Sequence, residues 1–156
     1  MYKKEFMNLA VDKARETMNS GHGGPFGATI TKKGKVIVVS SNKVLLNNDP
    51  TAHAEISAIR EACQILGTYD LSGCEIYATG YPCPMCVSAI IWANIKKVYY
   101  GCSPQDADKI GFRDDFIYEF IQQGLSNEKV LNIEQAEKEN CLSLFEEYHK
   151  NSNTIY

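Results

Sequence analysis

The middle of the amino-acid sequence alternates strand, helix and strand, and this alternation constrains the fold more than any other feature. Residues 74–79 (CEIYAT) and Lys97–Tyr100 have the short apolar and aromatic pattern of strands, and Pro84–Ala93 between them is a helical stretch rich in isoleucine that begins at a proline. This order is typical of a βαβ unit, which forms part of a parallel or mixed sheet covered by helices. The sequence therefore predicts an α/β fold.

The residues before this unit add further elements to the prediction. Apolar residues spaced by four predict an amphipathic helix, and two β-branched stretches around a Lys-Gly pair predict a hairpin. An Asp-Pro pair followed by periodic apolar residues is typical of a capped helix start. The predicted elements are a helix over residues 4–19, a hairpin of residues 26–31 and 35–41, a loop over Asn42–Asp49, and a helix of roughly sixteen residues from Asp49-Pro50 to Gly67.

The C-terminal part of the chain has weaker patterns. After Ser103 the sequence predicts short helices, a weak strand at Val130–Ile133 and a final helix at Ile133–Lys150. The expected architecture is thus a three-layer α-β-α sandwich with a central mixed sheet of about five strands. Because the 156 residues are 44% apolar and contain no low-complexity stretch, residues 1–156 are expected to form a single domain.

Hydropathy and charge exclude two classes of partner. The apolar stretch Val87–Ile95 is interrupted by Ser88 and Asn94 and is about half the length of a membrane span. The N-terminus lacks the pattern of a signal peptide, so we expect a cytoplasmic protein without a membrane partner. The chain has 16 basic and 19 acidic side chains, whereas nucleic-acid binding needs a basic surface. A small polar substrate is therefore expected, and no nucleic acid.

Six cysteines in a chain that is not exported are more typical of thiols or metal ligands than of a disulfide framework. Cys83 and Cys86 open the helix predicted at Pro84, and their spacing places both sulfurs on one face of its first turn. There the exposed N–H groups and the helix dipole favour thiolates. Taken alone, this Cys-x-x-Cys pair is either a redox dithiol or half of a zinc site.

His53, at the start of another predicted helix, supplies a third ligand. Three protein ligands with an open fourth position are typical of catalytic zinc. Glu55 could then move protons beside that position, although an isolated glutamate here would only stabilise the helix dipole. A fourth protein ligand would instead make the chain a non-catalytic, zinc-stabilised interaction domain, and the candidates for that ligand are His22, His149, Cys74 and Cys102.

These two segments, HAE at residues 53–55 and PCPMC at residues 82–86, resemble the signature of the cytidine deaminase-like zinc deaminases. Within that superfamily the sequence is similar to the bacterial guanine deaminases in GGPFGATI (23–30), Asn42, NDPTAHAEISAIR (48–60), Trp92 and GFRDDFIY (111–118). The resemblance implies zinc-dependent hydrolysis of guanine to xanthine and ammonia. It also implies zinc on His53, Cys83 and Cys86, with Glu55 as the proton shuttle.

The resemblance implies a set of substrate-binding residues as well. Asn42 would hydrogen-bond the edge of the base, Phe26 and Trp92 would enclose its ring, Asp114 would accept from ring N–H groups, and Tyr156 would close the pocket. Similar guanine deaminases are homodimers that exchange their C-terminal segments, in which case Asp114 and Tyr156 serve the neighbouring pocket. The alternatives are packing for the two aromatic residues, a turn for Asn42, a helix cap for Asp114 and a frayed terminus for Tyr156.

One position departs from the family pattern. The family generally has an acidic residue directly before the Pro-Cys pair, whereas this chain has Tyr81. If that acid acts through its side chain, Tyr81 changes the shape of the pocket or the choice of substrate; if the acid only holds the backbone geometry, little changes. The alternatives to guanine are therefore another free base or nucleoside, such as cytosine, and adenosine in tRNA.

Overall fold

The computed structural model describes residues 1–151 and 154–156. Contacts within the chain divide it into two compact units, residues 1–114 and residues 115–156. The helices and strands are α1 Lys4–Asn19, β1 Gly27–Lys32, β2 Lys35–Ser41, α2 Val44–Asn47, α3 Ala54–Leu66, β3 Cys74–Gly80, α4 Pro84–Trp92, β4 Lys97–Cys102, α5 Pro104–Asp108, α6 Asp115–Gln122 and α7 Lys138–Asn151.

A mixed sheet with the strand order β2-β1-β3-β4 forms the centre of the first unit. β1 is antiparallel to both of its neighbours, and β3 is parallel to β4. α4 connects these parallel strands, so the predicted βαβ unit is confirmed. The sheet has four strands and not about five, because Val130–Ile133 forms a turn and irregular backbone. A strand prediction from four residues is weak, since a strand persists only where a neighbour satisfies its backbone groups.

Side chains alternate between the two faces of the sheet and produce the predicted three layers. Ala28 and Ile30 of β1 and Ile76 of β3 belong to a buried core that includes residues of α3 and α4. On the opposite face, Phe6 of α1 packs edge-to-face on Tyr77, with 5.4 Å between ring centroids. One helix layer therefore covers each face of the sheet, which confirms the α-β-α sandwich.

α1 approaches the sheet closely because β1 begins with a glycine. A Cβ on Gly27 would lie 2.9 Å from the carbonyl carbon of Ala10 and 3.2 Å from the Cβ of Ala14, and still closer to the carbonyl oxygen of Ala10. Thr17 at the end of α1 is hydrogen-bonded to Ser41 at the end of β2, with 2.5 Å between the hydroxyl oxygens. These contacts fix the helix against the strand that leads into the site described below.

The predicted start of the helix that follows Asp49-Pro50 is wrong by four residues, since the cap residue is His53 and not Asp49. Asp49 instead accepts hydrogen bonds from the backbone N–H and the hydroxyl of Thr51, at 2.8 and 2.7 Å. This turn follows α2, a short helix inside the predicted loop, and α3 begins only at Ala54. The Asp-Pro pair thus marks a turn, because aspartate accepts from the backbone two residues on as readily as it caps a helix.

The second unit is helical. Phe120 of α6 is buried, and every described residue of α7 is exposed. The final helix begins at Lys138 and not at Ile133, after a left-handed backbone at Glu137 (φ 54°). Among the described residues, every helix is too short or too polar to cross a bilayer.

Candidate metal centre and active site

One edge of the sheet collects the residues of the site. β3 and β4 are parallel and both end at this edge, where Gly80 pairs with Cys102. β1 runs in the opposite direction and therefore begins here, while β2 ends here beside it. Phe26 directly precedes β1, Asn42 directly follows β2, and Cys83 follows β3. The topology thus brings together residues that are far apart in sequence.

Two helix starts provide the metal donors. His53 is the N-cap residue of α3 and Cys83 is the N-cap residue of α4, and both have extended backbone dihedral angles. Cys86 lies in the first turn of α4. A residue in the cap position has left the helical path, so its side chain can face the neighbouring helix start.

The donor atoms have the separations of a tetrahedral zinc site. His53 Nδ1 lies 3.6 Å from Cys83 Sγ and 3.7 Å from Cys86 Sγ. Standard Zn–N and Zn–S bond lengths at a tetrahedral angle predict about 3.6 Å between these atoms. The three donors lie within 4.8 Å of one another. The residues therefore fit a zinc ion.

The group of donors found among residues 1–151 and 154–156 consists of these three residues. His22, Cys74 and Cys102, which the sequence left open as a fourth ligand, lie outside it. His149 belongs to the second unit. A closed four-ligand structural site is not assembled from these candidates, and three protein donors are the number found in catalytic zinc sites.

The pKa values of the two thiols are shifted in opposite directions. A hydrogen bond from Cys86, followed by interactions with His53, lowers the pKa of Cys83 to about 4. The same Cys83 thiolate, followed by burial, raises the pKa of Cys86. The hydrogen bond with Cys83 also raises the pKa of His53. The pair thus shares one proton, which zinc binding must displace, because the metal takes thiolates as ligands.

Glu55 lies in the first turn of α3 and is 8% exposed. Its Oε2 atom accepts from Cys86 Sγ at 3.5 Å. Burial raises the pKa of this carboxyl group. On a regular helix, two side chains that are two residues apart point in nearly opposite directions. His53 is a cap residue outside the regular helix, so its side chain and that of Glu55 both reach the metal centre. Glu55 is therefore positioned to exchange protons beside the metal centre.

A cavity of about 670 Å³ opens over the metal centre and is lined entirely by residues of the first unit. His53, Glu55 and Cys83 contribute to its wall. Phe26, Asn42 and Asp114 contribute as well, so the structure brings six of the nine predicted site residues to this cavity. Cys86 lies beneath the wall and is fully buried.

Two predicted residues lie elsewhere. Trp92 is 76% exposed at the end of α4 and is not part of the cavity wall. Tyr156 belongs to the second unit, where it lines a separate groove with residues of α7. Trp92, a residue of the first unit, therefore lies outside the wall of that unit's cavity.

The amide of Asn42 has a defined orientation. Its Oδ1 atom accepts from the backbone N–H of Val44 at 3.1 Å, and its own backbone N–H donates to the carbonyl of Phe26 at 2.9 Å. Asn42 is 6% exposed. Because the carbonyl end of the amide is bonded to the chain, its NH2 end is the part that can donate to a bound molecule.

Several residues of the wall were missed by sequence reasoning, among them Gly23, Gly24, Val44, Leu45, Phe112 and Arg113. Phe112 lies in the motif GFRDDFIY, in which the resemblance implies a role for Asp114 alone. Tyr81, the departure from the family pattern, also lines the cavity, and its ring packs edge-to-face on Tyr100 with 4.9 Å between centroids. It is a partly exposed aromatic residue of the wall.

The sequence profile of the cytidine and deoxycytidylate deaminase zinc-binding region matches residues 1–102. The chain belongs to this deaminase family. A guanine deaminase of Bacillus subtilis (strain 168) is 43% identical over 153 residues, covering 98% of this chain and 97% of that protein. The X-ray structure of guanine deaminase from Bacillus subtilis has a TM-score of 0.92 and 42% identity, covering 100% of this chain and 99% of that one.

A tRNA-specific adenosine deaminase of Aquifex aeolicus (strain VF5) is also 43% identical, but over 100 residues, which are 64% of this chain and 66% of that protein. The family membership and the donor separations agree on zinc as the metal of the site. The predicted superfamily, fold and cofactor are confirmed.

Proposed function

We propose that this protein is a zinc-dependent aminohydrolase that converts guanine to xanthine and ammonia. The observation that carries the proposal is the match to Bacillus subtilis guanine deaminase, because it extends over 98% of the chain. It therefore extends over nearly all of residues 115–156, whereas the Aquifex aeolicus match covers 64% of the chain. The proposal retains the cytoplasmic location expected from the sequence.

In this reaction His53, Cys83 and Cys86 bind zinc, which acidifies water and supplies a nucleophile at neutral pH when three protein ligands hold it. Glu55 accepts the proton of the attacking water. It then delivers this proton to the ring nitrogen next to C2 of guanine, takes a second proton from the hydroxyl group added at C2, and delivers that one to the departing amino group. A buried carboxyl group with a raised pKa suits this role, since it holds a proton more readily than an exposed carboxyl group does.

The cavity provides complementary groups for a guanine ring. Guanine has acceptors at N7 and O6 as well as N–H donors. The Asn42 NH2 group is oriented to donate to an acceptor of the base, and the Asp114 carboxylate accepts from a ring N–H. Phe26 gives the cavity an apolar aromatic surface for the flat ring. Together these residues select a planar base with both kinds of group on its edge.

The overall net charge of −3 argues against adenosine in tRNA as the substrate. Residues 1–113 contain 13 basic and 10 acidic side chains, and residues 114–156 contain 3 basic and 9 acidic ones. A folded RNA requires a basic surface around the pocket, because phosphate contacts supply most of its affinity. A small-molecule nucleobase is consistent with this charge distribution.

The test is ammonia release from guanine, cytosine, adenine and their nucleosides, measured on the zinc-loaded protein. We expect guanine to have the highest kcat/KM, and a higher value for cytosine or for a nucleoside would contradict the proposal. A Glu55→Gln variant keeps the size of the side chain but cannot accept the proton. It should fold, retain zinc and lose activity by at least about 100-fold. A non-catalytic zinc-stabilised domain would have no activity to lose.

The proposal includes a homodimer of single-domain chains (residues 1–156) whose C-terminal segments are exchanged. Many large apolar side chains of the second unit are exposed, and an apolar surface of this kind is unusual in a monomer. The most exposed are Leu131, Ile133, Leu144, Phe145, Ile155 and Tyr156. A second copy of the chain is the partner that we propose for this surface, with Asp114 and Tyr156 serving the neighbouring pocket.

Light scattering should give a mass of two chains, and a monomer at micromolar concentration would contradict the dimer. Exchange is tested by co-expressing a Glu55→Gln chain with a chain that lacks Tyr156. If Tyr156 acts on the neighbouring pocket, a mixed dimer contains one complete site and is more active than either variant alone. If Tyr156 acts within its own chain, both sites of the mixed dimer are defective and activity does not recover.

A further inference from the structure

Phe112 and Phe26 form an aromatic pair in the wall of the cavity. Their ring centroids are 5.0 Å apart and their planes meet at 89°. This edge-to-face arrangement is the favourable geometry for two aromatic rings. Phe26 precedes β1 and Phe112 follows α5, so the contact joins two distant parts of the first unit at the cavity.

The structure leaves room for the pair by placing a glycine against both rings. A Cβ on Gly24 would lie 3.0 Å from Cζ of Phe112 and 3.2 Å from Cδ2 and Cε2 of Phe26. The backbone of Phe112 is anchored as well, because its N–H donates to the carbonyl of Ala107 at 3.0 Å. Phe112 is therefore a positioned side chain and not a ring on a loose loop.

The packing leaves much of the Phe112 ring uncovered. The residue is 47% exposed, although it contacts Phe26 and lines a cavity that also contains Glu55 and Asn42. An uncovered aromatic surface beside a proton-transfer group and a hydrogen-bond donor is what a flat ligand with a polar edge requires. Trp92, the second aromatic residue expected around the ring, lies outside this wall.

We propose that Phe112 is a substrate-binding residue, whose ring forms an aromatic wall against which the planar base lies. This inference rests on the proposed function, since it takes guanine as the ligand. Its role is to add apolar and ring-to-ring contact to the base. Base–aromatic contacts of this kind change affinity by roughly five-fold to 100-fold when the ring is removed.

The test measures guanine binding directly, by calorimetric titration of zinc-loaded protein that contains Glu55→Gln, so that no turnover occurs. In this background Phe112→Ala should weaken guanine binding on the order of tenfold. Phe112→Tyr keeps the ring and should bind guanine within about twofold of the parent. Ile110→Ala is the matched control, because Ile110 is an exposed apolar residue two positions away that does not line the cavity.

Zinc content and thermal melting of each variant report whether the fold is kept. If Phe112→Ala fails to fold, Phe112→Leu replaces it and should also weaken binding. Unchanged binding in the folded Phe112→Ala or Phe112→Leu variant, with guanine still bound by the parent, overturns the role of Phe112 and leaves the proposed function standing. If the parent does not bind guanine and the wild-type protein does not deaminate it, the proposed function fails and the role of Phe112 fails with it.

Discussion

Gly23→Ala is a demanding test of the site, because Gly23 lies directly against Asn42. A Cβ at this position would be 2.9 Å from the carbonyl carbon of Asn42, and closer still to its backbone and side-chain oxygens. Ordinary contact with a Cβ begins at 3.4 Å. The alanine must therefore push Asn42 away by at least 3.4 − 2.9 = 0.5 Å, and by more where the oxygens are concerned.

This displacement should lower kcat/KM strongly and the free energy of unfolding only modestly. A shift of about 1 Å in a positioning group can lower the rate by about 100-fold. We expect kcat/KM for guanine to fall by about 10-fold to 100-fold, which is about 1.4–2.7 kcal/mol of transition-state stabilisation. Overpacking of this size typically lowers the free energy of unfolding by about 1–3 kcal/mol. Zinc content should not change, because the added methyl group faces Asn42 and not the metal donors.

The assay is steady-state ammonia release, together with zinc analysis and urea denaturation. Gly21→Ala is the matched control, because Gly21 has φ 71° and a Cβ there meets no atom within 4 Å. That variant should lose about 1 kcal/mol of stability from backbone strain and keep the wild-type kcat/KM. If Gly23→Ala, once folded and zinc-loaded, has the same kcat/KM as Gly21→Ala, then either Asn42 does not contact the substrate or its position is not critical.

Three further predictions concern the fold and the metal. Gly27→Ala should lower the free energy of unfolding in urea by about 2–4 kcal/mol, because the new methyl group meets the backbone of α1; a loss below about 1 kcal/mol would show that the helix shifts freely. His53→Ala should be isolated without stoichiometric zinc. Chelation should lower the Tm of the wild-type protein by on the order of 5 °C or more, and an unchanged Tm would show that the metal does not stabilise the fold. Zinc affinity of the metal-free protein should rise with pH between about pH 6 and about pH 8, because Cys86, whose pKa is raised, must lose its proton while Cys83, with a pKa of about 4, has already lost its own. Proton release during zinc addition measures this, and a pH-independent affinity would contradict it.

The parts of the fold that follow from local pattern were predictable. The βαβ unit, the hairpin and the start of α4 at Cys83 each follow from the pattern of a short segment, so periodicity and turn signals are sufficient to place them. The donor group was predictable for the same reason. Cys-x-x-Cys at a helix start orients two sulfurs locally, and the separate His-x-Glu segment supplies the remaining ligand.

The predictions that were wrong failed because another local structure competed or because a segment lacked a neighbouring strand. Asp49-Pro50 satisfies its backbone through Thr51 and not through a helix. Val130–Ile133 has strand-forming residues, but a strand needs neighbours, which four residues cannot specify. Such outcomes depend on the surroundings of a segment, and sequence pattern describes only the segment itself.

The aromatic wall could not be predicted because it depends on contacts between distant residues. Phe26 and Phe112 are separated by most of the sequence of the first unit. The role of Gly24, which leaves space for both rings, follows only from their positions in the fold. In the sequence, Trp92 was the more conspicuous aromatic residue. Its position at the last turn of α4 places it away from the cavity, which a helical pattern alone does not reveal.

The two N-cap positions at His53 and Cys83 have a consequence for dynamics. A serine or aspartate N-cap usually accepts hydrogen bonds from the first backbone N–H groups of a helix. In α3 and α4 the N-cap residues are metal ligands, and their side chains make no such hydrogen bond. Loss of the ion would therefore loosen the first turns of both helices together, since neither turn has a side-chain cap of its own. Amide deuterium uptake in these two first turns should therefore rise in parallel as the metal is withdrawn, and it would report occupancy residue by residue.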